Sequence, residues 1–136
     1  MFFQNNNDTN DDLSKVAALL IHAAKIDQNY STIEEEIIKK TLMEIGANNE
    51  NLSGIIDNGK KIEENSNQIL DFTKEVKNME EKNKIKIIET LWKIIYSNND
   101  ADIYETNLMR RLTGLLYIDS KLMGDIKERI KKEITK

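Results

Sequence analysis

The chain has no cysteine and no proline, a single histidine and only five glycines. The missing cysteine removes disulfides, thiolate zinc sites and cysteine nucleophiles together, and it fits a reducing compartment. The missing proline leaves every stretch free of the residue that most reliably breaks a helix. With so few glycines, turns must rest mostly on Asn, Asp and Ser. His22 alone cannot build a hydrolytic zinc triad, and beside ordinary serines it makes no nucleophile–base pair. Gly54 and Gly59 are isolated, so there is no Gly-rich phosphate loop. The longest apolar run, Val16 to Ile21, is far too short to cross a bilayer. No positive segment followed by an apolar one opens the chain. A cytoplasmic protein without membrane insertion is expected.

What is present is charge and helical periodicity. Charged residues make up 32% and hydrophobic residues 39% of 136 residues, enough for one domain with a real core. The net charge of −4 lacks the basic face that releases counterions from a phosphate backbone. The basic stretch from Lys127 to Lys136 reads as the last turns of a helix, where cations complement the dipole. No nucleic-acid partner is expected. Residues 1–10, with Gln4, Asn5, Asn6, Asn7 and Asp8, have the composition of a disordered tail. The domain proper is assigned to residues 11–136.

The apolar positions recur with a period near 3.6 and predict about seven helices. The first is expected over Asp12 to Asp27, with apolar residues on more than one side, and should be central. The others are expected over Thr32–Ile45, Asn51–Glu64, Asn67–Met79, Glu80–Ser97, Ile103–Leu116 and Ser120–Ile134. Gly46 sits where a left-handed cap would end the second. Asp119 precedes the seventh as its N-cap, with Ile118 and Met123 spaced for a hydrophobic staple. The fifth is the most apolar and carries Trp92, the only tryptophan. No segment alternates with strand period. The fold class is all-α, a compact bundle with short connections.

Shifting the chain by 71 residues lays Ala24 on Ile95 and superposes two segments. Asp27, Ser31 and Glu34 fall on Asn98, Asp102 and Glu105. Ile37-Ile38-Lys39-Lys40 falls on Leu108-Met109-Arg110-Arg111. Each half is an apolar helix, a short polar loop and a second helix entered through an acid. Two pseudo-repeated helix–loop–helix hairpins follow.

The second copy reads Leu91-Trp92-Lys93, Ile94-Ile95, Tyr96-Ser97-Asn98-Asn99, Asp102-Ile103-Tyr104-Glu105 and Arg110-Arg111. The first reads Leu20-Ile21-His22, Ala23-Ala24, Lys25-Ile26-Asp27-Gln28 and Ser31-Thr32-Ile33-Glu34. In these pieces, over about Asp12 to Ile134, the chain resembles the TerB family. The resemblance implies a TerB-like helical fold and a context of tellurite resistance, stress response and metal-associated sensing. Where the family's loops carry Asp and Gly, the second copy has Asn98 and Asn99, and Gln28 replaces the glycine of the first.

Two readings compete for the loop acids. Ser31-x-x-Glu34 and Asp102-x-x-Glu105 both match a capping box, which needs no ligand. A hard-cation site would instead gather Asp27, Glu34, Asp100, Asp102 and Glu105, since clustered carboxylates repel unless a cation sits among them. An EF-hand is excluded by spacing: its glycine position is Thr32 or Ile103, and its twelfth position is Ile38 or Met109. Asn98 substitutes a neutral amide and Lys93 adds a positive charge, so divalent-cation binding is expected to be weak or nil, with no other cofactor. Arg110 and Arg111 are two of three arginines in a lysine-rich chain. Their planar, bidentate geometry marks them, with Tyr104, as candidate docking residues. The alternative is an ion pair to a neighbouring helix.

The function expected is a non-catalytic module acting on a protein partner in a stress or tellurite-resistance-type response, as a monomer or weak dimer. The alternative is a divalent-cation sensor built on the acidic loops. One stability consequence follows from the fifth helix. Trp92→Ala should cost about 3–5 kcal/mol, the usual loss for a truncated buried aromatic. Urea melts showing less than about 1 kcal/mol would put Trp92 on the surface.

Overall fold

The computed structural model describes the backbone of residues 2–25, 32–65, 70–96 and 103–134, and the side chains of 11–25, 32–65, 73–96 and 107–133. Among these residues there are seven α-helices and no strand. They are α1 (Phe2–Lys25), α2 (Thr32–Glu44), α3 (Leu52–Asn65), α4 (Leu70–Lys77), α5 (Glu81–Tyr96), α6 (Ile103–Leu115) and α7 (Ser120–Ile134). The number and type of elements match the periodicity, and the ends of α2 to α7 fall close to the expected ones. At α1 the structure differs. The helix begins at Phe2 and runs through the stretch whose composition suggested a disordered tail. No glycine or proline interrupts Phe2–Lys25. Asn and Asp are weak helix formers, but extending an existing helix costs far less than nucleating one.

The core is organised around α1, which packs against α2, α3, α4 and α5. Leu13, Val16, Ala17, Ala18, Leu19, Leu20, Ile21, Ala23 and Ala24 are all buried, so the helix is covered on nearly every side. Four alanines among these nine let neighbours approach closely. α5 is the second hub, packed on α1, α2 and α7, with Ile87, Ile88, Leu91, Ile94 and Ile95 fully buried. Trp92, 3% exposed, stacks on Tyr96 with ring centroids 5.8 Å apart. The Lys127 ammonium of α7 lies 5.5 Å from the indole centroid. Few polar groups enter this core. Thr41 of α2 and Thr90 of α5 hydrogen-bond to each other through their hydroxyls. Lys84 of α5 is buried, and its ammonium donates to the Leu116 carbonyl just past α6 (3.2 Å), where the helix dipole welcomes a cation.

The 71-residue repeat holds at the level of helix ends. α1 ends at Lys25 and α5 at Tyr96; α2 spans Thr32–Glu44 and α6 spans Ile103–Leu115. The two second helices also stop in the same way. After α2, Gly46 has φ 136° and the Ala47 amide donates to the Leu42 carbonyl (2.9 Å). After α6, Tyr117 has φ 56° and the Ile118 amide donates to the Thr113 carbonyl (3.0 Å). Both are the six-to-one closures of a Schellman ending. The first copy uses glycine at the left-handed position. The second uses tyrosine, at a backbone cost of about 1–2 kcal/mol for an L-residue. Before α7, the Asp119 carbonyl accepts from Met123 (2.9 Å), and Ile118 and Met123 are both buried.

The α1–α3 contact depends on Gly59. A Cβ there would stand 2.7 Å from the Ala17 Cβ, 3.1 Å from the Ser14 carbonyl oxygen and 3.2 Å from the Ala18 nitrogen. Gly54, in the same helix, would meet nothing within 4 Å. Alanine should therefore act oppositely at the two sites. Gly59→Ala should destabilise by about 1–3 kcal/mol through overpacking. Gly54→Ala should stabilise by about 0.5–1 kcal/mol through helix propensity. Thermal or urea melts of the two variants check this, and the same sign at both positions would contradict the close approach.

Candidate functional site

Of the five acids proposed for a cation, Asp27, Asp100 and Asp102 lie outside the described residues. Glu105 and Tyr104 stand in the first turn of α6, with side chains outside the described set. Glu34, in the first turn of α2, is fully buried. It sits where the first backbone amides of a helix lack intrahelical acceptors, so the dipole favours its negative charge. Glu34 and Glu105 occupy equivalent places at the starts of the two repeated helices. Ser31, the proposed cap partner of Glu34, is outside the described residues. Among the described residues, no three His, Cys, Asp or Glu side chains come together as a metal would require.

Arg110 and Arg111 are described, and both are exposed on α6. Leu108, Met109, Leu112 and Leu116 face the core, so the arginines are turned outward by the same periodicity that buries the leucines. Among the described residues, neither guanidinium forms an ion pair. The third arginine behaves differently: Arg129 of α7 reaches Glu89 of α5 at 3.1 Å. The simple ion-pair explanation thus applies to Arg129 and not to Arg110 or Arg111.

The sequence reading missed Tyr117. It is 74% exposed, and the Lys77 ammonium of α4 lies 5.0 Å from its ring centroid. The repeat register held the signal, because it sets Tyr117 opposite Gly46. A tyrosine at a position its twin gives to glycine is a departure that periodicity of apolar residues does not detect.

A cleft of about 880 Å³ lies where the ends of α2 and α4 meet the start of α5. Asp12, Glu44, Glu75, Glu80, Lys82 and Lys86 line it. Its carboxylates are largely answered from within. Glu75 accepts from Lys15 (2.8 Å) and Glu44 accepts from Lys86 (2.9 Å). The bond to Glu75 holds the Lys15 pKa above its ordinary value, and the bond from Lys86 holds Glu44 below its own. This cleft is a polar surface whose charges are largely paired with one another. His22 lies elsewhere, half-exposed on α1, with Nδ1 3.4 Å from Glu63 of α3. Lys25 approaches the same carboxylate at 2.7 Å.

The family model described as tellurite resistance protein TerB matches residues 13–128, most of the chain. No curated protein and no solved structure matches significantly.

The Glu63 cluster gives a pH dependence. Burial alone would raise the Glu63 pKa; the hydrogen bonds from Lys25 and His22 and their charges outweigh it and hold the group below its ordinary 4.5. A carboxyl depressed in the folded state contributes stability that is present above its unfolded pKa and lost as pH falls through its folded one. The stabilisation should be intact above about pH 4.5 and fade below it. Glu63→Gln should flatten the acid limb of a stability–pH curve from urea melts. An unchanged limb would remove Glu63 as a contributor.

Proposed function

The chain belongs to the TerB family, and on that premise we propose that it works as a non-catalytic helical module acting through protein–protein contacts. The setting we propose is a cytoplasmic response of the stress or tellurite-resistance type. The carrying observation is the Arg110–Arg111 couple, which faces outward on α6 and forms no ion pair among the described residues. Arginine is a demanding residue to leave without a carboxylate, and it is enriched where one protein grips another. In keeping with this, among the described residues no helix is long and apolar enough to cross a membrane.

A second reading, a divalent-cation sensor, is favoured by one feature. Glu34 is a carboxylate at 0% exposure. Together with Asp27, Asp100, Asp102 and Glu105 it would offer a hard cation several anionic oxygens. Glu34 also interacts within the fold, the helix N-terminus favours its charge, and Asn98 and Lys93 weaken the donor set. Protein contact is therefore the preferred reading.

The two separate cleanly in experiment. Native affinity purification with mass spectrometry should recover a protein held by the wild type and lost in the Arg110→Ala/Arg111→Ala double variant. Calorimetric titration with calcium, magnesium, manganese and zinc should give weak or no binding. Dissociation constants tighter than about 10 μM, abolished by Asp27→Asn or Asp102→Asn, would replace the module reading with the sensor.

A further inference from the structure

Tyr117 occupies a left-handed backbone position, φ 56°, that its repeat twin gives to Gly46. Glycine adopts such a conformation freely, and a bulky L-residue does not. The ring recovers little in return, because it is 74% exposed. Backbone strain maintained for a side chain that the core does not use points to a use at the surface.

The surroundings say what kind of use. Arg110, Arg111 and Gly114 are exposed on the same side of α6 that leads to Tyr117. Residues 110, 111 and 114 lie within one arc of α6, and Tyr117 follows two residues past the helix end. Lys77 of α4 reaches over the Tyr117 ring from the side. Among the described residues, none of these three cations is engaged by a carboxylate. A chain with net charge −4 thus carries, among the described residues, Lys77 over this exposed ring and two arginines on the helix that ends beside it, none of them in an ion pair. Asp119 is the next acid along the chain, but it stands at the start of α7, where the helix dipole offsets its charge.

We propose that this face of α6, anchored by Tyr117, docks an acidic segment of a protein partner. Resting on the module reading above, it names that partner's chemistry: several Asp or Glu carboxylates to meet Arg110, Arg111 and Lys77, with an apolar side chain against the ring. Arginine binds carboxylates bidentately through its planar fork. Tyrosine and arginine are the residues that most often anchor an interface. Three cations on an otherwise acidic chain are too few to hold a nucleic-acid backbone.

Gly114 offers a place to test this, since a Cβ there would meet nothing within 4 Å. The photo-crosslinking residue p-benzoylphenylalanine would replace Gly114 in the full chain, expressed in its own cells, with a second version at exposed Asn107. The expected adduct is a protein segment with a clear excess of Asp and Glu. Its yield should fall about tenfold or more with Tyr117→Gly, and likewise with Arg110→Ala/Arg111→Ala. Purified Tyr117→Gly should at the same time melt roughly 3 °C higher, because the strain is gone. Loss of binding with a gain in stability is an outcome that a purely structural Tyr117 would not produce. Adducts to nucleic acid, to lipid or to a segment without acidic excess would overturn the proposal. So would an adduct yield indifferent to Tyr117→Gly, or a lower melting temperature. A control crosslinker at Ile33, exposed on α2, keeps the two readings apart. Capture there but not at 114 or 107 would overturn this face and the part given to Arg110 and Arg111, and leave standing a protein-contact module that docks elsewhere. Silence at all three positions would remove both.

Discussion

The fold depends on how closely α3 can lie against α1. Gly59 meets the backbone of Ser14 and Ala18 and the side chain of Ala17, so the two helices touch almost backbone to backbone. Such contact leaves no room for side chains between them, and the small residues Ala17 and Ala18 on α1 are the complement. Because α1 also carries α2, α4 and α5, a shift at this crossing would be passed to the whole bundle. Protein interiors are close-packed, and a displaced central helix cannot be absorbed locally.

Around that crossing the chain repeats itself with unequal detail. The hairpins α1–α2 and α5–α6 share their helix boundaries and the hydrogen bond that closes their second helices. The polar ties are not duplicated: one joins the two halves and another lies within the second. Thr41 and Thr90 tie α2 to α5, while buried Lys84 ties α5 to the end of α6. Polar groups in a core specify one arrangement over its near alternatives, since a shifted register would leave them unsatisfied. In a bundle of two similar halves, that kind of specification matters.

Much of this was legible in the sequence. The apolar spacing of Leu13, Val16, Leu20 and Ala24 announces a helix, and Leu19 and Ala23 widen its face enough to place it at the centre. Gly46 and the Ile118–Met123 pair mark helix ends through local chemistry that acts over a few residues. The Gly59 crossing was not legible, because glycine's importance there lies in what faces it from α1, and nothing local to α3 states that. The start of α1 was misjudged because composition reports solubility of a stretch, and a helix already nucleated downstream propagates into it. At the candidate site, the outward arginines follow from their register beside buried leucines. Tyr117 did not stand out, since its distinction is a backbone angle. Glu34 was named from its motif, yet its complete burial comes from packing.

The single tryptophan has an optical consequence. Trp92 is held out of water between α5 and α7, its ring against Tyr96, the Lys127 ammonium at 5.5 Å, and its indole nitrogen buried without a hydrogen-bond partner. An indole in such a dry setting fluoresces to the blue of one in water. The chain therefore carries its own unlabelled dye at one seam of the bundle. Any event that lifts α7 would let water reach that ring and redden the emission, so detachment of one helix can be told from melting of the whole by comparing the colour with the helical signal.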